Sequence, residues 1–111
     1  MQLVNLTPHP FNLVDSNGDI VLSLDGADNP PRVDVQDSFD QTIQVDGNDV
    51  DVFQNSYGDV QNLPDPQDGV LYIVSRMVVN ACPDRDDLVI PNDLVRDDDG
   101  NIVGCQNLSW G

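Results

Sequence analysis

The sequence predicts a mainly β, α+β fold: a compact antiparallel sheet or barrel-like single domain over residues 1–111, with one short helix near residues 75–82. Three observations predict it. The run Val70-Leu71-Tyr72-Ile73-Val74 is five apolar residues bounded by turn signals, the pattern of a strand buried on both faces. Residues 32–36, 41–45 and 50–53 alternate Val, Ile or Phe with Asp, Gln or Thr, the period of strands with one face buried and one wet. Scarce Ala and the absence of Glu and Lys remove most good helix formers.

Taken in order, residues 2–6 alternate weakly as a first strand, stopped by Thr7-Pro8-His9-Pro10, where two prolines forbid a helix and interrupt a ladder. Residues 11–14 and 20–24 form a hairpin around Asp15-Ser16-Asn17-Gly18-Asp19, with Asn-Gly suited to positive φ at both central positions. Asp25-Gly26-Ala27-Asp28-Asn29-Pro30-Pro31 is a loop. The alternating strands follow as antiparallel neighbours, turning at Asp46-Gly47-Asn48-Asp49, with a short piece at residues 57–60 before the loop 62–69. Ser75 is placed to cap a two-turn helix with Met77, Val78 and Ala81 on one side, ended by Pro83. Residues 70–74, the helix and residues 88–90 then make a strand-helix-strand crossover with parallel strands. A last hairpin pairs residues 94–96 with 102–104 around Asp98-Asp99-Gly100.

The 111 residues carry 20 aspartates and only four Arg, for a formal net charge of -16. In dilute buffer such a surface repels itself. At about 1 M salt the screening length falls to about 3 Å, so only touching charges interact, and the composition suits a halophilic setting. The sign disfavours nucleic acid, whose phosphates bind through Lys and Arg, and anionic membranes. The first residues hold neither a basic n-region nor an apolar h-region, and no apolar run approaches the roughly 18 residues of a membrane span. No signal peptide is predicted, and a soluble protein made in the host cytoplasm is expected.

Cys82 and Cys105 read as reduced, buried thiols acting as small hydrophobes. With only His9 as a further soft ligand, a zinc site lacks its four donors. Aligning Gly18 or Gly100 with the invariant glycine of a calcium loop puts Leu13 or Val95 at the first ligand position, so that motif fails. No metal and no cofactor are expected. A site combining Asp84, Asp86 or Asp87 with residues 97–99 stays open as an alternative, as does a hydrolase built on three converging aspartates.

The opening Val4-Asn5-Leu6-Thr7-Pro8-His9-Pro10 stands out, as does the closing half: Asn62-Leu63-Pro64-Asp65-Pro66, Gly69-Val70-Leu71-Tyr72-Ile73-Val74-Ser75, Arg85-Asp86-Asp87, Leu94-Val95-Arg96-Asp97 and Gly100-Asn101-Ile102-Val103-Gly104-Cys105. These two ends resemble a group of short, functionally uncharacterised proteins of tailed viruses and integrated proviruses; residues 11–61 match only in strand pattern. The resemblance implies a viral or provirus origin and brings no catalytic residues with it.

The candidate ligand-binding residues are His9, Arg76, Arg85 and Arg96. Arg is rare here, and each of these three lies in the closing half. Bidentate pairing with Asp is one reading of them, and capture of a small phosphate or carboxylate, with Tyr72 or Trp110 stacked on the guanidinium, is the other. No Ser-His-Asp arrangement, phosphate loop or CxxC motif is present. The leading expectation is a non-enzymatic, protein-binding virion component, a capsid decoration or accessory head protein that assembles with other virion subunits as a symmetric oligomer. The alternative is an intracellular factor that binds a small anionic ligand or a host protein to modulate infection.

Overall fold

The buried run at the centre of the sequence becomes the centre of the sheet. In the computed structural model, which describes residues 1–111, strand β6 (Val70–Ile73) lies between β1 (Gln2–Asn5) and β7 (Leu88–Arg96), parallel to both. Beyond β7 come β8 (Ile102–Ser109), β2 (Phe11–Val14) and β3 (Ile20–Leu24), giving a six-stranded sheet in the order β1-β6-β7-β8-β2-β3. The mainly β class with one short helix holds, and the sheet is mixed: β2 also runs parallel to β8, while β7–β8 and β2–β3 are antiparallel.

Both faces of β6 are covered, as its continuous apolar run predicts. Ile73 packs with Phe11, Val89 and Cys105 in one cluster, and Tyr72 and Val74 pack with Val78 and Leu88 in another. Ile73 is 0% exposed. The crossover from β6 to β7 runs through helix α1 (Arg76–Ala81), whose cap is Ser75: its side chain accepts from Val78 N. The inner side of α1 is Val78 with Val79, whereas Met77, expected inside, is 47% exposed. Successive helical residues lie about 100° apart, so with Val78 packed on β6 and β7 and Val79 beside it, Met77 on the other flank of Val78 is turned outward.

Two turns repeat one construction. Asp15 Oδ1 accepts from Asn17 N and Asp19 N, and Gly18 takes a φ of 87°. Asp97 Oδ1 accepts from Asp99 N and Asn101 N, and Gly100 takes 85°. Only the glycine of Asn17-Gly18 has positive φ, so the expected two-residue turn is replaced by a five-residue loop organised on the carboxylate. These aspartates are backbone acceptors. Strand β7 runs on through Pro91, which pairs with Leu108 of β8; β6 has already ended on that side, so the missing N–H breaks no ladder there.

The remaining two strands leave the sheet. β4 (Arg32–Val45) and β5 (Asn48–Gln61), each 14 residues, pair only with one another. At about 3.3 Å per residue they make a ribbon roughly 45 Å long. It is closed by Asp46 and Gly47, both with positive φ, as the Asp-Gly signal predicts. The three separate strands expected at residues 32–36, 41–45 and 50–53 are therefore parts of one arm. Their apolar residues are not a buried face: the burial of β4 and β5 is limited to Val33, Val52 and Val60 in part, with Val33 and Val60 packed on the Tyr72 cluster beside α1. The radius of gyration, 17.9 Å, exceeds the roughly 13 Å of a compact chain this long, because of the arm.

Candidate functional site

Two surfaces display uncovered apolar side chains, one on the arm and one on the body. On the arm, cross-strand pairing places Val35 opposite Tyr57 and Phe39 opposite Phe53. The two phenyl rings meet edge to face with centroids 5.8 Å apart, yet Phe39 is 59% and Phe53 53% exposed. A register shift between Phe39 and Gln41 marks a bulge at Asp40, after which Ile43 pairs with Val50. Val52 and Phe53 are consecutive on the unbulged strand and so point to opposite faces. The apolar side of the ribbon thus changes face at Asp40: Val35, Phe39, Phe53 and Tyr57 near the base, and Ile43, Val50 and Val52 near the tip. Behind the tip, Thr42 Oγ1 donates to Asp51 Oδ1 at 2.8 Å and Gln44 donates to Asp49, a polar ladder on the other face.

On the body, an open concavity of about 1120 Å³ lies among the loop after β1, the start of α1, and strands β2, β7 and β8. Ile20, Leu94, Ile102 and Val103 line it and are exposed. None of its 17 lining residues is an aspartate, in a chain with 20 of them. His9 and Arg76 both line it. The loop that carries His9 is held by Asn5, which is buried: its Nδ2 donates to His9 O at 2.8 Å and Asp25 O at 3.1 Å, and its Oδ1 accepts from Thr7 N and Oγ1. Ala27 N donates to Thr7 O, so the loops after β1 and β3 join across the end of the sheet. A Cβ on Gly26 would stand 2.5 Å from Pro8 O, which is why that loop can come so close only with glycine there.

The four expected ligand residues therefore divide. His9 and Arg76 share the concavity. Arg85, in the loop between α1 and β7, is spent on Asp87: its Nε donates to Oδ1 at 2.8 Å and its Nη2 to Oδ2 at 2.9 Å, with a further bond to Pro64 O. This is the chain's only ion pair. Its hydrogen bond from Arg85 holds the Asp87 carboxyl below the usual carboxylate range, against the opposing effect of desolvation. Arg96 bonds to Gly100 O at 2.9 Å and closes the last hairpin turn. Bidentate pairing with Asp, one of the readings of all three, holds for Arg85 alone.

Tyr72 is buried, with its hydroxyl donating to Asp65 O, and Trp110 is 62% exposed; neither stacks on an Arg. No three His, Cys or Asp side chains converge, so the alternative of Asp84, Asp86 or Asp87 with residues 97–99 is not assembled. Cys82 and Cys105 are free thiols, and burial pushes the Cys105 thiol up. The exposed arm went unseen in the sequence: Phe39 stands seven residues before Asp46 and Phe53 six after Gly47, and only the bulge at Asp40 brings them opposite one another. Comparison with models of protein families, with curated proteins and with solved structures finds no match to this chain.

Proposed function

We propose that this is a non-enzymatic, virus-encoded protein that works by binding other proteins, as a capsid decoration or accessory head subunit of a halophilic tailed virus. The observation that carries the reading is the arm. A two-stranded ribbon is marginal in water without a packed face, and this one exposes a strip of Val, Phe and Tyr that a monomer gains nothing from displaying. A protein partner that covers the strip supplies the missing packing. The viral and virion parts of the reading rest on the resemblance of the two ends of the chain, and the halophilic part rests on 20 aspartates balanced by a single ion pair.

The test is mass spectrometry of gradient-purified particles from infected cells. Recovery of the chain in fixed ratio to the capsid subunit is expected. Its confinement to the infected-cell lysate would overturn the virion assignment.

One observation favours a second reading, the intracellular factor that takes a small anionic ligand: Arg76 has no ion-pair partner and faces the concavity with His9. Calorimetric titration with inorganic phosphate and with citrate, on the wild type and Arg76→Ala, separates the two. Saturable binding lost in the variant supports the ligand reading, and no heat from either anion removes it.

A further inference from the structure

Resting on the reading above, that the chain acts by protein contact, we propose that the arm of one copy docks in the concavity of the next, so that copies assemble head to tail. The two surfaces match in chemistry. The base of the arm offers Phe39, Phe53 and Tyr57, and the concavity offers Ile20, Leu94 and Ile102, all roughly half exposed in the isolated chain. No residue of the arm lines its own concavity, so both surfaces stand uncovered in one copy.

Charge selects the pairing. Seven of the 20 aspartates lie on the arm, against the single Arg32, and two of them, Asp37 and Asp40, flank Phe39. Such a ribbon is repelled by almost every other part of a second copy. The concavity is the exception: it has no aspartate, and its one cation is Arg76, which has no ion-pair partner. Apolar contact provides the attraction and the absence of like charge provides the address. Contact of arm with arm would instead bring seven aspartates against seven.

An arm-to-concavity contact uses two different patches, which makes it heterologous. Repetition of such a contact closes a ring or extends a filament, the arrangement that a component of a symmetric particle needs. The bulge at Asp40 leaves Ile43, Val50 and Val52 on the far face of the tip, free to touch a further neighbour.

The experiment is sedimentation velocity of the full chain in molar potassium chloride, with Phe39→Asp disabling the arm and Ile102→Asp disabling the concavity. Both positions are more than half exposed, and circular dichroism checks that each variant keeps its β signal; Phe53→Ser and Leu94→Ser serve as replacements if either fails. The wild type is expected to sediment as multimers, and each variant as monomers with association weakened at least about 30-fold. An equimolar mixture of the two variants retains one intact arm and one intact concavity, and is expected to form a dimer and stop there.

A wild type that stays monomeric, variants that assemble normally, or a mixture that stays monomeric would each overturn the proposal. The outcome is separable from that of the particle analysis. A monomeric protein found in purified particles means that the arm docks on a different subunit, whereas a multimer absent from particles leaves this contact standing and removes the virion role.

Discussion

Arg85 and Asp87 meet through two parallel hydrogen bonds of 2.8 and 2.9 Å, the one place where a chain of 20 aspartates satisfies a carboxylate with a guanidinium. The side chains are 19% and 9% exposed, and Arg85 also holds Pro64 O, so the pair fastens the loop before β6 to the loop before β7. Arg85→Ala leaves a buried carboxylate unpaired and is expected to cost about 2–4 kcal/mol, read as a lower urea midpoint. The Asp87 pKa is lower in the folded than in the unfolded chain. The pair's contribution is therefore complete above the unfolded value, near pH 4, and is lost as pH falls through the folded value. The wild type is expected to lose stability more steeply than Arg85→Ala over that acid range.

Salt dependence follows from the same scarcity. Screening weakens one ion pair and relieves the repulsion of the other 19 aspartates. Raising potassium chloride from about 0.1 M to about 1 M, where the screening length falls to about 3 Å, is expected to raise the melting midpoint by about 5–10 °C, which corresponds to about 1–2 kcal/mol for a chain of this size. A midpoint indifferent to salt would show that the aspartates do not repel one another appreciably in the folded chain.

Gly26 has its place because Pro8 O occupies the space of a side chain. Gly26→Ala must push apart the loops joined by the Ala27 to Thr7 bond and is expected to cost about 1–3 kcal/mol, measured by thermal unfolding. Since Asn5 holds the same junction, Asn5→Ala is expected to lower the midpoint as well.

The two cysteines differ in access. Cys105 is 1% exposed with its thiol pushed up by burial, while Cys82 sits half-buried at the end of α1. Native protein is expected to take up one equivalent of a thiol reagent quickly and the second only on unfolding. Two fast equivalents without denaturant would place Cys105 at the surface.

What the sequence told in advance is what depends on near neighbours. Ser75 as a cap, Asp46-Gly47 as a tight turn and residues 70–74 as a doubly covered strand each follow from local chemistry, and the structure has all three. The arm was illegible for a physical reason. An alternating strand has the same pattern whether its apolar face meets a core or waits for a partner, so Val35 and Ile43 read as interior. A one-residue bulge at Asp40 then turns the apolar side over without altering composition. His9 and Arg76 come together only because β6 lies beside β1, a parallel pairing that no turn between adjacent segments announces. Arg85 could not be told from Arg96, since both adjoin aspartates in sequence and only the fold decides which carboxylate lies within reach, whereas Arg76 stands eight residues from Asp68 and from Asp84.

Phe39 and Phe53 stabilise each other across the ribbon without being buried by it, so the arm has more to give a partner than its own body. The most direct measurement replaces residues 36–56 by a two-residue Asn-Gly turn, which keeps the Val33 and Val60 contacts with the body, and then compares incorporation into purified particles with thermal unfolding. The expected result is a shortened protein that melts within a few degrees of the wild type and falls at least tenfold in the particles. A shortened protein recovered from particles at the wild-type level would contradict the account, because binding would then not pass through the arm.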